Sequence, residues 1–121
     1  MSETIDKKDS ILLSIKKLLG IAEDQVEYEQ PFDTDIIIHI NSILSSLVQL
    51  GIGPESGYSI NSISEKWSDF LGQNNPKQQM VVTYVYLKVR LLFDPPASSV
   101  ISQAINEQLK ELEWRLSITV D

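Results

Sequence analysis

The stretch Asp33–Leu50 constrains the fold more than any other part of the sequence. Its Ile, Leu and Val residues recur every three or four positions and share one wide face of a helix. That face holds Ile36, Ile37, Ile40, Ile43, Leu44, Leu47, Val48 and Leu50. Asp33 is predicted to cap the first turn, with Phe32 as a hydrophobic staple, and Gly51 is predicted to end the helix. A helix this amphipathic needs partners to cover its apolar face.

Two further main helices are predicted on either side of this one. The first spans about Asp9 to Leu19, and the last runs from Ser98 or Ser99 to Leu116. Ile11, Leu12, Ile15, Leu18 and Leu19 should form the core face of the first helix, with Leu13 pointing the other way. Ile101, Ile105, Leu109, Leu112 and Leu116 should form a narrow stripe on the last helix, with Trp114 opposite it.

The run MVVTYVYLKVRLLF at Met80–Phe93 has apolar residues nearly all round a helix, yet it also alternates passably as a strand. Its length favours a helix, as do Asn75-Pro76 before it and Asp94-Pro95-Pro96 after it. We therefore predict a helix that is buried on most sides. A long Gly-, Ser- and Asn-rich connection precedes it, with a short helix at about Ser62–Leu71.

The sequence thus predicts an all-α fold, a small bundle of four main helices with a short helix in a long connecting loop. The chain has 121 residues, 42% of them apolar, and no cysteine. This composition suits one domain over residues 1–121, with a flexible N-terminus at about 1–8 and a tail at about 117–121. The zero cysteine count excludes disulfides and thiolate metal sites and fits a reducing compartment.

The net charge of -7 is concentrated in the middle of the chain, where residues 21–75 carry nine acids and one base. Nucleic-acid binders draw much of their affinity from Lys and Arg, so this balance argues against one. A helix-turn-helix reading of residues 62–93 also fails, because its recognition helix would be mostly Val, Leu, Tyr and Phe. No apolar run is long enough to span a membrane, no signal-peptide core is present at residues 1–20, and no membrane partner is predicted.

No catalytic or cofactor motif is present, so we predict a protein that is not an enzyme and binds no cofactor. His39 is the single histidine and is read as a structural residue at the solvent edge. Four acids, Glu23, Asp24, Glu27 and Glu29, form a cluster without a base. It is read as a solvated acidic surface, or as one that docks a basic partner, and a hydrolase or nuclease using these acids is the poorest alternative.

Several apolar residues lie where solvent is expected, and together they predict a subunit contact. They are Leu13, Ile38, Trp114, Ile118 and Val120, and Lys88 and Arg90 are added as cations that interrupt an apolar helix. The tail from Ser117 to Asp121 alternates like an edge strand and is a candidate for pairing with a partner's sheet.

Three blocks, DTDIIIHINSILSSLVQLGIGP, TYVYLKVRLLFDPP and LKELEWRL, in this order, resemble the head-tail connector proteins of long-tailed bacteriophages, also called adaptor, head-completion or DNA-packaging proteins. The resemblance covers roughly Ser10 to Ser117. It implies a helical subunit of the virion neck, made and assembled in the host cytoplasm, that forms a ring under the portal. Its partners would be copies of itself, the portal and the next neck protein. The resemblance also makes Glu23, Asp24, Glu27 and Glu29 candidates for lining the channel, through which DNA would pass unbound.

A closed ring needs two different complementary patches on each subunit. We expect Lys88 or Arg90 and the outer side of the last helix on one patch, and the acidic stretch from Glu23 to Asp35 on the other. The alternative is a small helical regulatory or scaffolding module that binds another protein.

Overall fold

Five α-helices build the part of the chain that the structure describes, residues 9–21 and 32–118. In this computed structural model the helices are α1 (Ile11–Leu18), α2 (Asp33–Gln49), α3 (Trp67–Leu71), α4 (Gln78–Phe93) and α5 (Ser99–Ser117). The described residues form no β-strand and only one isolated antiparallel bridge, between Ser10 and Lys66. The all-α prediction of four main helices and a short one is confirmed.

The helix ends follow local signals. The Ser10 hydroxyl accepts a hydrogen bond from the Leu13 amide at the start of α1, and the Ser98 hydroxyl accepts one from the Ile101 amide at the start of α5. Gly20, after α1, has φ of 85°, a value that glycine adopts without strain. These residues satisfy backbone groups that a helix end would otherwise leave exposed.

The short helix α3 begins at Trp67, five residues later than the sequence predicts. The reason is a tight turn before it, in which the Glu65 carboxylate accepts hydrogen bonds from the amides of Asn61 and Ser62. Side-chain bonds of this kind offer the backbone an alternative to a helix. The predicted first turn is therefore a loop.

Helix α4 lies at the centre of the fold and packs against α1, α2 and α5. Its buried residues are Val81, Tyr84, Val85, Leu87 and Val89. It runs antiparallel to α5, since Lys77 before its start reaches the carbonyl of Leu116, whereas α5 begins just after α4 ends. One apolar core draws on all five helices, and the prediction that α4 is buried on most sides is confirmed.

The start of α1 is held by the connection before α3. The Ser10 hydroxyl donates to the carbonyl of Ile63, and the indole of Trp67 donates to the Ser14 hydroxyl at 2.9 Å. The Asn41 side chain of α2 donates a hydrogen bond to the carbonyl of Ile60 in the same connection and accepts one from the Ile60 amide. Side chains thus tie the long connection to the helices.

The core face of α1 differs from the predicted one. Leu13, predicted to point outward, is only 2% exposed, whereas Leu18, predicted to be in the core, is exposed. The cause is Lys16, whose ammonium lies 2.9 Å from the Asp33 carboxylate in a buried ion pair. Leu13 lies three residues before Lys16 and shares its helix face, so it is buried with it. A helical wheel counts lysine as polar and turns that face toward solvent.

The same ion pair corrects the predicted start of α2. Asp33 is the first residue of the helix and its side chain does not cap it, because the carboxylate is turned toward Lys16. The charge still complements the positive end of the helix dipole. Phe32, the residue before the helix, packs edge-on against Phe93 at 6.0 Å between ring centroids.

The apolar stripe of α5 is shorter than predicted. Ile105, Leu109, Leu112 and Leu116 are buried, but Ile101 is exposed. Ile101 lies in the first turn of α5, directly after the connection that follows α4. The buried stripe therefore begins one turn later than the sequence predicts, at Ile105.

Candidate interaction surfaces

The described residues contain no cluster of side chains that would support the hydrolase or nuclease alternative. In residues 9–21 and 32–118, no group of three or more His, Cys, Asp or Glu side chains is placed to hold a metal ion. His39 is half-exposed on α2. The acidic residues Glu23, Asp24, Glu27 and Glu29 lie outside the described residues, so their role as an acidic surface or channel stays a prediction.

The predicted contact residues fall in different places. Trp114 is 66% exposed and Ile38 is 59% exposed, so both are available to a partner. Leu13 is only 2% exposed, so the structure does not present it at the surface as the sequence predicts, and its place at an interface stays a prediction. Val120 lies outside the described residues, as does most of the tail that was predicted to pair as a strand.

Trp114 and Ile118 come together in an open groove at one end of the α4–α5 pair. The groove has a volume of about 340 Å³ and is lined by Lys77, Met80, Trp114, Arg115 and Ile118. The last residues of α5 supply one wall, and the start of α4 supplies the other. We call it the Trp114 groove.

Lys77 holds the end of α5 in place. Its ammonium donates hydrogen bonds to the carbonyls of Leu116, at 3.2 Å, and Ile118, at 3.1 Å. A cation at this position complements the negative end of the helix dipole and satisfies carbonyls that have no partner within the helix. The Lys77 charge is thereby fixed beside the groove, where Arg115 adds a second cation.

Lys88 does not present a free charge at the surface. Its ammonium lies 3.8 Å from the Glu113 carboxylate and over the Tyr84 ring. The same carboxylate oxygen accepts a 2.7 Å hydrogen bond from the Tyr84 hydroxyl. Burial, and then this bond to Glu113, raise the pKa of Tyr84 well above 10.0. Lys88 is thus a link between α4 and α5, and its interface role stays a prediction.

Arg90 lies in the last turn of α4 and is half-exposed. It is thirteen residues along the chain from Lys77, so the helix separates it from the Trp114 groove by about 20 Å at 1.5 Å per residue. The structure therefore does not bring Arg90 and Trp114 to one surface.

Besides the misplaced core residues named above, the sequence did not indicate that Leu92 and Val100 would be exposed or that Lys77 and Met80 would line the groove. Leu92 and Val100, at 57% and 75% exposed, flank the connection between α4 and α5. The apolar spacing along one helix does not show whether another element covers its terminal turns. Lys77 and Met80 are drawn into the groove by the packing of α5, for which the sequence holds no local signal.

No helix in residues 9–21 and 32–118 has the length and apolarity needed to cross a membrane.

Comparison with known proteins identifies a family for this chain. No curated protein and no solved structure shows a significant match to the chain. A family model described as phage connector protein matches residues 11–121, which is most of the chain. Connector proteins are structural parts of the virion that contact other head or tail proteins, and this chain, helical as the resemblance implies, belongs to the phage connector protein family.

Proposed function

We propose that this chain is a structural subunit of the phage neck, acting as one helical domain that assembles into a ring beneath the portal. The ring extends the DNA channel and docks the next neck or tail-completion protein. Family membership supports the connector role. The observation that carries the proposal of self-assembly is Trp114, which is 66% exposed beside Ile118 in an open apolar groove. Tryptophan is enriched among the residues that dominate protein interfaces.

The charge of the chain suits a conduit for DNA. At a net charge of -7, a ring of these subunits would repel phosphates instead of retaining them. DNA could then pass without being bound, and assembly in the host cytoplasm would need no membrane. The ten Lys and Arg residues are not concentrated in one stretch: four lie in residues 1–20, one in residues 21–75 and five in residues 76–121.

The test measures assembly of the full chain alone and with the portal ring of the same phage, by mass photometry over a range of concentrations. We expect ring-sized particles, at least when the portal is present as a template. Trp114→Ala should reduce assembly at least tenfold, whereas Gln108→Ala, at an exposed position on another side of α5, should not. A fixed small species that ignores the portal would contradict the proposal and favour a regulatory or scaffolding module.

A further inference from the structure

The Trp114 groove combines an apolar floor with cations at its edges. Met80, Trp114 and Ile118 supply apolar surface, and Lys77 and Arg115 supply positive charge. Lys77 is fixed by its two bonds to the end of α5. Arg115 forms an exposed pair with Glu111, at 3.5 Å, and such pairs are weak enough to exchange. An occupant should therefore offer both apolar side chains and carboxylates.

Residues 22–31 of this chain have that composition. They read AEDQVEYEQP, with four acids, no base, and Val26 and Tyr28 among the acids. The acids of this segment could pair with Lys77 and Arg115, and its apolar side chains could pack on the apolar floor of the groove. Complementary charges at a protein interface guide encounter and fix its register.

The groove and the point where this acidic segment joins the fold lie at opposite ends of α4. Phe32, directly after the segment, packs on Phe93, the last residue of α4. Met80 is in the first turn of α4, so about 20 Å of helix separates it from Phe93. The segment is tied at Ile21 and Phe32, and even fully extended its midpoint reaches only about 18 Å from those ends. The groove of the same chain is therefore at or beyond its reach.

We infer that the Trp114 groove receives the acidic segment, residues 22–31, of a second copy of this chain. The inference rests on the proposed self-assembly and specifies its contact. The groove and the acidic segment are different parts of the subunit, and Phe32, which follows the segment, lies at the other end of α4 from the groove. The contact is therefore heterologous, and its repetition generates a ring or a filament. It also replaces Lys88 and Arg90 with Lys77 and Arg115 as the cations that face the acids.

The absence of cysteine permits a direct test by cross-linking. Full-length Val26→Cys and Met80→Cys copies are mixed and treated with a short bis-maleimide, and peptide mapping counts links between the two positions. We expect these links to exceed those between Val26→Cys and Ser45→Cys, an exposed control position on α2, by at least fivefold. Such cross-linking records weak contacts even if the chain alone forms no stable ring.

Charge reversal tests the chemistry of the contact. Arg115→Glu in the Met80→Cys copy should reduce the links several-fold, and Glu27→Arg with Glu29→Arg in the other copy should restore them. Arg115→Gln, a milder change, serves if the reversal alters the helical circular dichroism. Links no more frequent than the Ser45→Cys control would overturn the inference.

A chain carrying both Val26→Cys and Met80→Cys tests whether the segment reaches its own groove. Linking within one chain, at a rate independent of dilution, would also overturn the inference. The two proposals fail separately: rings on the portal without Val26–Met80 links refute only the contact, and links without ring or portal binding refute only the neck function.

Discussion

The buried ion pair between α1 and α2 should be costly to break by a single substitution. Lys16 Nζ lies 2.9 Å from Asp33 Oδ1, and the two side chains are 5% and 3% exposed. At this separation and an effective dielectric constant of about 20, the Coulomb attraction is about 6 kcal/mol. A substitution that removes the Lys16 ammonium and leaves the Asp33 carboxylate buried breaks this pair from one side. Such changes cost about 3–5 kcal/mol of unfolding free energy.

Lys16→Met is the sharpest perturbation, because it keeps an unbranched side chain and removes the charge. Lys17→Met is a matched control at the next position, which is exposed, and should change stability by no more than about 0.5 kcal/mol. Urea unfolding followed by circular dichroism gives both free energies. The double variant Lys16→Met with Asp33→Met should recover much of the loss, since apolar residues often replace a buried pair without penalty.

The salt dependence provides a second check on the same reasoning. At about 1 M salt the screening length falls to about 3 Å, which weakens exposed pairs far more than buried ones. The difference between Lys16→Met and Lys17→Met should therefore persist at high salt. If both variants unfold at the same urea concentration as the unmodified chain, the pair contributes no stability and the reasoning is refuted.

Two other contacts give predictions of their own. Tyr84→Phe removes a hydrogen bond to the Glu113 carboxylate and should lower the unfolding free energy by about 1.5–3 kcal/mol at neutral pH. Because folding raises the pKa of Tyr84, this contribution is complete below pH 10.0 and is lost as the pH rises above it. Urea titrations between neutral pH and about pH 11 should therefore show a smaller loss of unfolding free energy for Tyr84→Phe than for the unmodified chain. Gly53→Ala should be the more damaging of two glycine substitutions, because its new Cβ would lie 2.4 Å from the Phe70 ring at φ of 91°, whereas Gly57→Ala at φ of 95° meets open space. We expect the left-handed backbone conformation to cost about 1–2 kcal/mol of unfolding free energy in both variants, and the clash to add a further loss only in Gly53→Ala. Equal thermal midpoints for the two variants would contradict the clash.

The predicted contact residues show how far helical periodicity carries. Trp114 and Ile38 are exposed as expected, because each lies opposite a strong apolar stripe on its own helix. Leu13 fails the same test. Its helix is short, and Lys16, a charged residue on the same face, is buried instead of exposed. The position of a charged residue therefore does not indicate the solvent-facing side of this helix. The Asp33 carboxylate at the start of α2 compensates the buried charge of Lys16, and no local pattern in the sequence predicts this contact.

The four main helices, most of their ends and the all-α class were determined by the sequence itself. Local signals suffice for these features, since apolar spacing, capping serines and glycines act within one or two turns of the backbone. The tertiary structure alone decided which face of α1 is buried, that Lys88 is engaged by Glu113, and that Lys77 and Met80 join Trp114 in one groove. Each of these depends on residues far apart in the chain, whose contacts are set by how the helices pack and not by the character of any one helix.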